Sequence, residues 1–171
     1  IPKELDFGSE GREKLITGIT QIANAVKSTL GPRGNTVLIE SPEHTASITV
    51  TKDGVTVAKA VELLDPVENL AVRIMKQAAE RTATLAGDGT TTAIVLTEAL
   101  VKNSTELLIK NPHVSVTEVI RALSKYTIDI INILKKESIK VTKKTLTNVA
   151  TISANNDELV GDIISATYNA V

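Results

Sequence analysis

Apolar residues recur every three to four positions early in the chain, at Leu15, Ile19, Ile22, Ala23, Val26 and Leu30. That spacing predicts a long amphipathic helix with one buried stripe. Gly31-Pro32 ends it, because glycine accepts the left-handed backbone of a C-terminal cap and proline cannot continue the hydrogen-bond ladder. From Asn35 to Val57 the texture changes. Thr36-Val37-Leu38-Ile39 and Ser47-Ile48-Thr49-Val50-Thr51 are runs rich in β-branched residues on either side of a polar Ser41 to Thr45 stretch, the pattern of a β-hairpin. Helical spacing then returns three times. Leu70, Ile74, Ala78 and Leu85 share a face between about Pro66 and Leu85. Ala93, Leu96 and Leu100 are expected to point inward from a helix that begins near Gly89 and ends before Asn111-Pro112. Val119, Ile120, Leu123, Ile130, Ile131 and Leu134 form the stripe of the next.

Five lysines between Lys135 and Lys144 interrupt this pattern, and the stretch reads as a solvated connector between domains. Beyond it come a short segment from Leu146 to Ile152, the polar Ser153 to Asp157, and a last helix with Leu159, Val160, Ile163 and Ile164 expected to face inward. The whole is a mainly α chain with one small hairpin.

Composition sharpens the picture in a few places. Aromatic residues make up 2% of the 171 residues, so the core is aliphatic. There is no cysteine, which excludes disulfides, thiol catalysis and cysteine-held metals and fits a reducing compartment. Nineteen basic and 20 acidic residues give a net charge of −1, without the footprint of a nucleic-acid partner. No apolar run reaches the roughly 18 residues of a membrane span, so no membrane partner is expected. Ile1 to Gly8 lack the form of a secretory signal, and the missing initiator Met points to trimming or an incomplete chain.

Three groups could do chemistry. Gly87-Asp88-Gly89-Thr90-Thr91-Thr92 stands just before a helix, where free N–H groups and the helix dipole attract an anion and an aspartate suits a hard cation. Asp88 or Thr90 could equally cap that helix. Thr29-Leu30-Gly31-Pro32-Arg33-Gly34 is a glycine-bracketed loop that helix termination alone would explain, and it is not a Walker loop, since no Gly-Lys-Ser/Thr follows. Thr51-Lys52-Asp53-Gly54 follows a strand and is also a turn signal. His44 and His113 have no second ligand at metal spacing. Without a positioned base for a nucleophile, hydrolysis here would use an activated water.

In order and separation, these three groups, the second extended as Thr51 to Lys59 and the third as Ala86 to Ala93, resemble the nucleotide site of the group I chaperonins, the GroEL type. Ala150 to Asp157 is similar to the start of that family's intermediate domain, and Asn111-Pro112 matches its position between two equatorial helices. The resemblance implies that residues 1–134 are the amino-terminal half of an equatorial ATP-binding domain and that residues 135–171 begin the intermediate domain. The apical domain and the remaining equatorial half would lie beyond Val171. It further implies that ATP is bound by Thr29, Leu30, Gly31, Pro32, Lys52, Gly87, Asp88, Gly89, Thr90, Thr91 and Thr92. Mg2+ would be held by Asp88, and K+ would sit near Thr29, Lys52 and Thr91. Asp53 would act as the catalytic residue that orders the attacking water.

The implied partners are unfolded polypeptides, a co-chaperonin of the group I type and further copies of the chain in a double heptameric ring. Bacterial cytoplasm is the compartment expected first and mitochondrial matrix second. Ile1 to Phe7 would form an edge strand. Two positions depart from the family pattern: the hairpin is about two residues longer, with a Ser41-Pro42-Glu43-His44-Thr45 tip, and Gly11 stands where a better helix former is usual, at a cost near 1 kcal/mol inside a helix. A chain ending at Val171 would hydrolyse ATP poorly. The competing readings are a short, non-hydrolysing module that joins or caps chaperonin rings, and an unrelated Mg2+-dependent phosphate enzyme built on the Asp88 loop.

Overall fold

The computed structural model describes residues 5–31, 33–40, 47–154 and 156–170. The expected edge strand at Ile1 to Phe7 thus falls mostly outside the described residues, as do Pro32 and the hairpin tip. The described residues form, in order, α1 (Gly8–Lys27), β1 (Val37–Glu40), β2 (Ile48–Thr51), α2 (Gly54–Ala60), α3 (Pro66–Ala86), α4 (Thr90–Lys110), α5 (Val116–Glu137), α6 (Lys143–Ser153) and α7 (Glu158–Ala170). Contacts group the chain into two compact units, Ile1–Val116 and Thr117–Val171.

In the first unit, α1 supplies the centre of the core. Ile22, Ala23 and Val26 are fully buried against Val57 and Ala58 of α2, Val72, Met75 and Ala79 of α3, and Ile94 of α4. This cluster is aliphatic, as the composition requires. The helix stops at Ser28, a turn earlier than the periodicity suggested, so Leu30 lies beyond its end and is exposed. Gly11 is inside α1 and buried. Where α1 crosses α3, a Cβ at Gly18 would run into the backbone of Glu68, so the crossing depends on that missing side chain.

That close crossing explains a correction on α3. Of the predicted face, Leu70, Ile74 and Leu85 are exposed and Ala78 is half-buried, and the buried residues are Ala71, Val72, Met75 and Ala79. A tight approach of two helices selects the face with smaller side chains and leaves the bulkier apolar face outside. On α4 the buried positions are Thr90, Ile94 and Glu98, Ala93 is half-buried, and Leu96 and Leu100 are exposed. Asp65 caps α3 by accepting from the backbone N–H groups of Val67 and Glu68, and Pro66 fits the first helical turn. Lys14 of α1 reaches both Asp6 and Asp65.

The hairpin forms as expected, antiparallel with Val37 opposite Thr51 and Glu40 opposite Ile48. Val37 and Ile39 lean on the core, and Leu38 and Glu40 face away. The sequence did not disclose α2: at seven residues it is too short to show a helical period, and Asp53-Gly54 reads as a turn.

In the second unit, α5 buries none of its residues. Of its predicted stripe, Val119 and Leu123 are half-buried, and Ile120, Ile130, Ile131 and Leu134 are exposed. The lysine-rich connector is shorter than expected, since Lys135 and Lys136 belong to α5 and Lys143 and Lys144 to α6. A capping box between Thr142 and Thr145 opens α6. α6 and α7 pack through small residues: Gly161 lies against the backbone of Thr151, and the Thr147 hydroxyl donates to buried Ser165 Oγ at 2.8 Å. The α7 residues expected inside, Leu159, Val160, Ile163 and Ile164, are on its outer side, because Gly161 and Ser165 occupy the contact.

Candidate functional site

The site begins at the junction of α3 and α4. Gly87 ends α3 in the left-handed conformation, its N–H bonded to Ala83 O. Gly89 precedes α4 with φ of 87°, also left-handed, a conformation that L side chains rarely adopt. Two such residues around one aspartate turn the chain sharply and set Asp88 out in solvent, with one carboxylate oxygen on the Gly89 N–H at 2.6 Å. No side chain caps α4, so neither Asp88 nor Thr90 has the simple capping role that the sequence left open. The first N–H groups of α4 have no partner within the helix, and the positive end of its dipole lies at Thr90, Thr91 and Thr92, of which Thr90 is buried, Thr91 half-buried and Thr92 exposed.

Helix α2 is built differently. Asp53 caps it with both oxygens: Oδ1 accepts from Val55 N–H at 3.3 Å, and Oδ2 from Thr56 N–H at 2.9 Å and the Thr56 hydroxyl at 2.6 Å. Burial pulls the Asp53 carboxyl upward, but those bonds and the nearby Lys59 charge hold it below the ordinary aspartate value. Asp53 is therefore an oriented carboxylate whose Oδ2 is fully used by two donors and whose Oδ1, with one, keeps a lone pair free. Lys52 beside it is exposed.

The loop after α1 is tied down by its own backbone. Asn35 N–H donates to Ser28 O at 2.7 Å and Gly34 N–H to Gly31 O at 2.9 Å, while the Thr29 hydroxyl donates to Val26 O at 2.8 Å. A Cβ at Gly34 would press into the Thr29 carbonyl, so this glycine is needed for the loop to close. Gly31 has φ of 78°, Leu30 is exposed, and Pro32 lies outside the described residues.

Helix α1, which leads into that loop, and the starts of α2 and α4 meet at Gly54, the first residue of α2. A side chain there would collide with the Thr91 hydroxyl, and its Cβ would also lie 3.3 Å from both Thr91 Cβ and Val26 Cγ1. The end of α1, the start of α2 and the start of α4 thus share one point. Asp88 is three residues from Thr91 and Thr29 three from Val26, each at most about 11 Å along the chain. Gly34 and Gly54 are the residues whose part the sequence did not reveal. Each stands inside a noted motif, but the need for glycine comes from a neighbour distant in sequence. Among the described residues no three acidic or imidazole side chains cluster as a metal cage, and no helix is long and apolar enough to cross a membrane.

The fold has counterparts among known proteins. Residues 22–171 match the TCP-1/cpn60 chaperonin family. The chaperonin gp146 from the bacteriophage EL 2 (Pseudomonas aeruginosa), crystallised in presence of ATP-BeFx, superposes with a TM-score of 0.79 at 31% identity over 94% of this chain in one crystal form. In a second form the TM-score is 0.73 at 28% identity, again over 94% of the chain. The chain spans 28% of the length of that phage protein. With its mainly helical equatorial-type fold and its family match over most of its length, this chain belongs to the TCP-1/cpn60 chaperonin family.

Proposed function

We propose that this chain is the nucleotide-binding segment of an ATP-dependent chaperonin subunit of the group I type. The observation that carries the proposal is the meeting of the end of α1 with the starts of α2 and α4 at Gly54. It joins an uncapped helix start, an exposed aspartate between two left-handed glycines and an oriented second carboxylate in one place. Phosphate oxygens suit the first of these, a hard cation the second and a polarised water the third. Crystallisation of the related phage chaperonin in presence of ATP-BeFx supports the same chemistry.

In this reading the amides and hydroxyls of Gly89, Thr90, Thr91 and Thr92 hold phosphates. Gly87 sets the turn, and Thr29, Leu30, Gly31 and Pro32 close over the nucleotide from the other side. Asp88 is the protein ligand for Mg2+, and Lys52, Thr29 and Thr91 lie about the K+ site. The donor set fits: a single carboxylate with phosphate oxygens and water is the usual environment of Mg2+. Bound Mg2+ would supply charge neutralisation on the phosphates and polarise the terminal phosphoryl group. Asp53 orders the attacking water through the Oδ1 lone pair that its capping bonds leave free.

Residues 1–134 would form the amino-terminal half of an equatorial domain and residues 135–171 the start of an intermediate domain. Exposed apolar residues such as Leu64, Leu85 and Phe7 fit a segment that works inside a larger ring assembly. Folding of polypeptide clients and docking of a co-chaperonin belong to that assembly. Calorimetric titration of the chain with ATP tests the site. Binding in Mg2+ that weakens at least about tenfold in Asp88→Ala, a loss of about 1.4 kcal/mol, supports it. Affinity that ignores both Mg2+ and Asp88 refutes it.

A further inference from the structure

Glu98 is the one fully charged side chain of the first unit's described residues that is buried at its core, and the nucleotide site as described does not use it. It sits two turns into α4, one turn after Ile94 of the central cluster. One of its oxygens pairs with Lys27 Nζ and the other with Lys102 Nζ at 2.9 Å. The two lysines differ in what they join. Lys102 is four residues along the same helix, so that pair ties α4 only to itself. Lys27 is the last residue of α1 and the root of the loop whose closure runs from Ser28 O to Asn35 N.

We propose that the Lys27–Glu98 ion pair is a positioning device that fixes the 28–35 loop relative to the start of α4 and so sets nucleotide affinity without touching the nucleotide. The inference rests on the reading of the site given above. A buried carboxylate is costly unless it is paired, so Glu98 holds whatever cation reaches it in a single place. Both lysines keep much of their side chains in solvent, at 40% and 42% exposure, and each can be removed without opening a cavity. With one lysine gone the other still neutralises Glu98, which separates loss of the bridge between helices from loss of charge balance. The aliphatic contacts of Val26 set the distance between α1 and α4, and the ion pair adds the direction that non-directional packing lacks.

The test uses the full chain with Lys27→Met, Lys27→Arg and Lys102→Met, each read by amide hydrogen exchange without nucleotide and by titration with Mg2+-ATP. Lys27→Met is expected to speed exchange across residues 28–35 and weaken Mg2+-ATP by about five- to tenfold, Lys27→Arg to restore both, and Lys102→Met to leave both within about twofold. Equal behaviour of Lys27→Met and Lys102→Met, or a Lys27→Met loop that exchanges like wild type, would overturn the inference. A wild-type chain that binds no Mg2+-nucleotide would overturn the reading of the site instead, and the loop-exchange contrast would still report on the ion pair.

Discussion

Gly54 and Thr91 stand so close that no side chain fits between them: a Cβ on residue 54 would meet the Thr91 hydroxyl and come within 3.3 Å of its Cβ. Residue 54 opens the helix after the hairpin and residue 91 the helix after the Asp88 turn. Their contact is what makes one site of two motifs 37 residues apart.

Gly54→Ala should therefore destabilise the fold. In an exposed helix this change gains up to about 1 kcal/mol from reduced chain entropy. Here overpacking outweighs that gain, and a net loss of about 1–3 kcal/mol is expected. The urea midpoint measures it; a midpoint equal to or above wild type would mean that the two helix starts are not in contact.

The face of α3 can be tested by a neighbouring pair. Met75 is buried and Ile74 is 58% exposed. Met75→Ala should cost about 2–5 kcal/mol, and Ile74→Ala should stay within about 0.5 kcal/mol in the isolated chain. The reverse order in thermal or urea unfolding would restore the face suggested by periodicity.

Two carboxylates make stability depend on acid. Glu98 is pushed upward by burial, but Lys102 and Lys27 hold it below the ordinary glutamate value. Asp53 is likewise lowered by Thr56 and Val55 against its burial. A carboxyl lowered in the folded state contributes stability that is complete above its unfolded value, about 3.9 for Asp and 4.3 for Glu, and is lost as pH falls through the folded value. Wild type should keep a constant urea midpoint from neutral pH to about 5 and lose stability below about 4. Glu98→Gln and Asp53→Asn should each flatten that decline; an unchanged acid slope in both would contradict the assignment.

Asp53 also caps α2, so Asp53→Ala should cost about 1 kcal/mol of stability. On the proposed function it should also abolish most ATP hydrolysis by the ring assembly while leaving Mg2+-ATP affinity within a few fold. Hydrolysis that survives with only the stability loss would reduce Asp53 to its capping role.

Much of this was legible in the sequence. The long helices α1, α3, α4 and α5 were announced by periodic runs, the hairpin by two β-branched stretches, and the three site motifs by glycines at element ends. The faces were less legible. Leu70, Ile74, Leu96 and Leu100 obey helical spacing as well as the residues that are buried, and only tertiary contacts decide between them, on α3 the crossing at Gly18 and on α4 the packing of Ile94 in the central cluster. The same holds for the site: Thr29, Asp53 and Asp88 could be named from motifs, but that Gly34 closes on Thr29 and Gly54 on Thr91 depends on contacts that no local pattern encodes. No pattern in the sequence singles out Glu98, and its pairing with Lys27 follows from where α1 ends.

Amide hydrogen exchange of the full chain, with and without Mg2+-ATP, addresses the central claim most directly. The account predicts that the amides of Thr90, Thr91 and Thr92 and those of Thr29 to Gly31 slow together on addition of Mg2+-ATP, and that neither set slows in Asp88→Ala. Protection confined to one loop, or protection that appears elsewhere while both loops exchange freely, would contradict it.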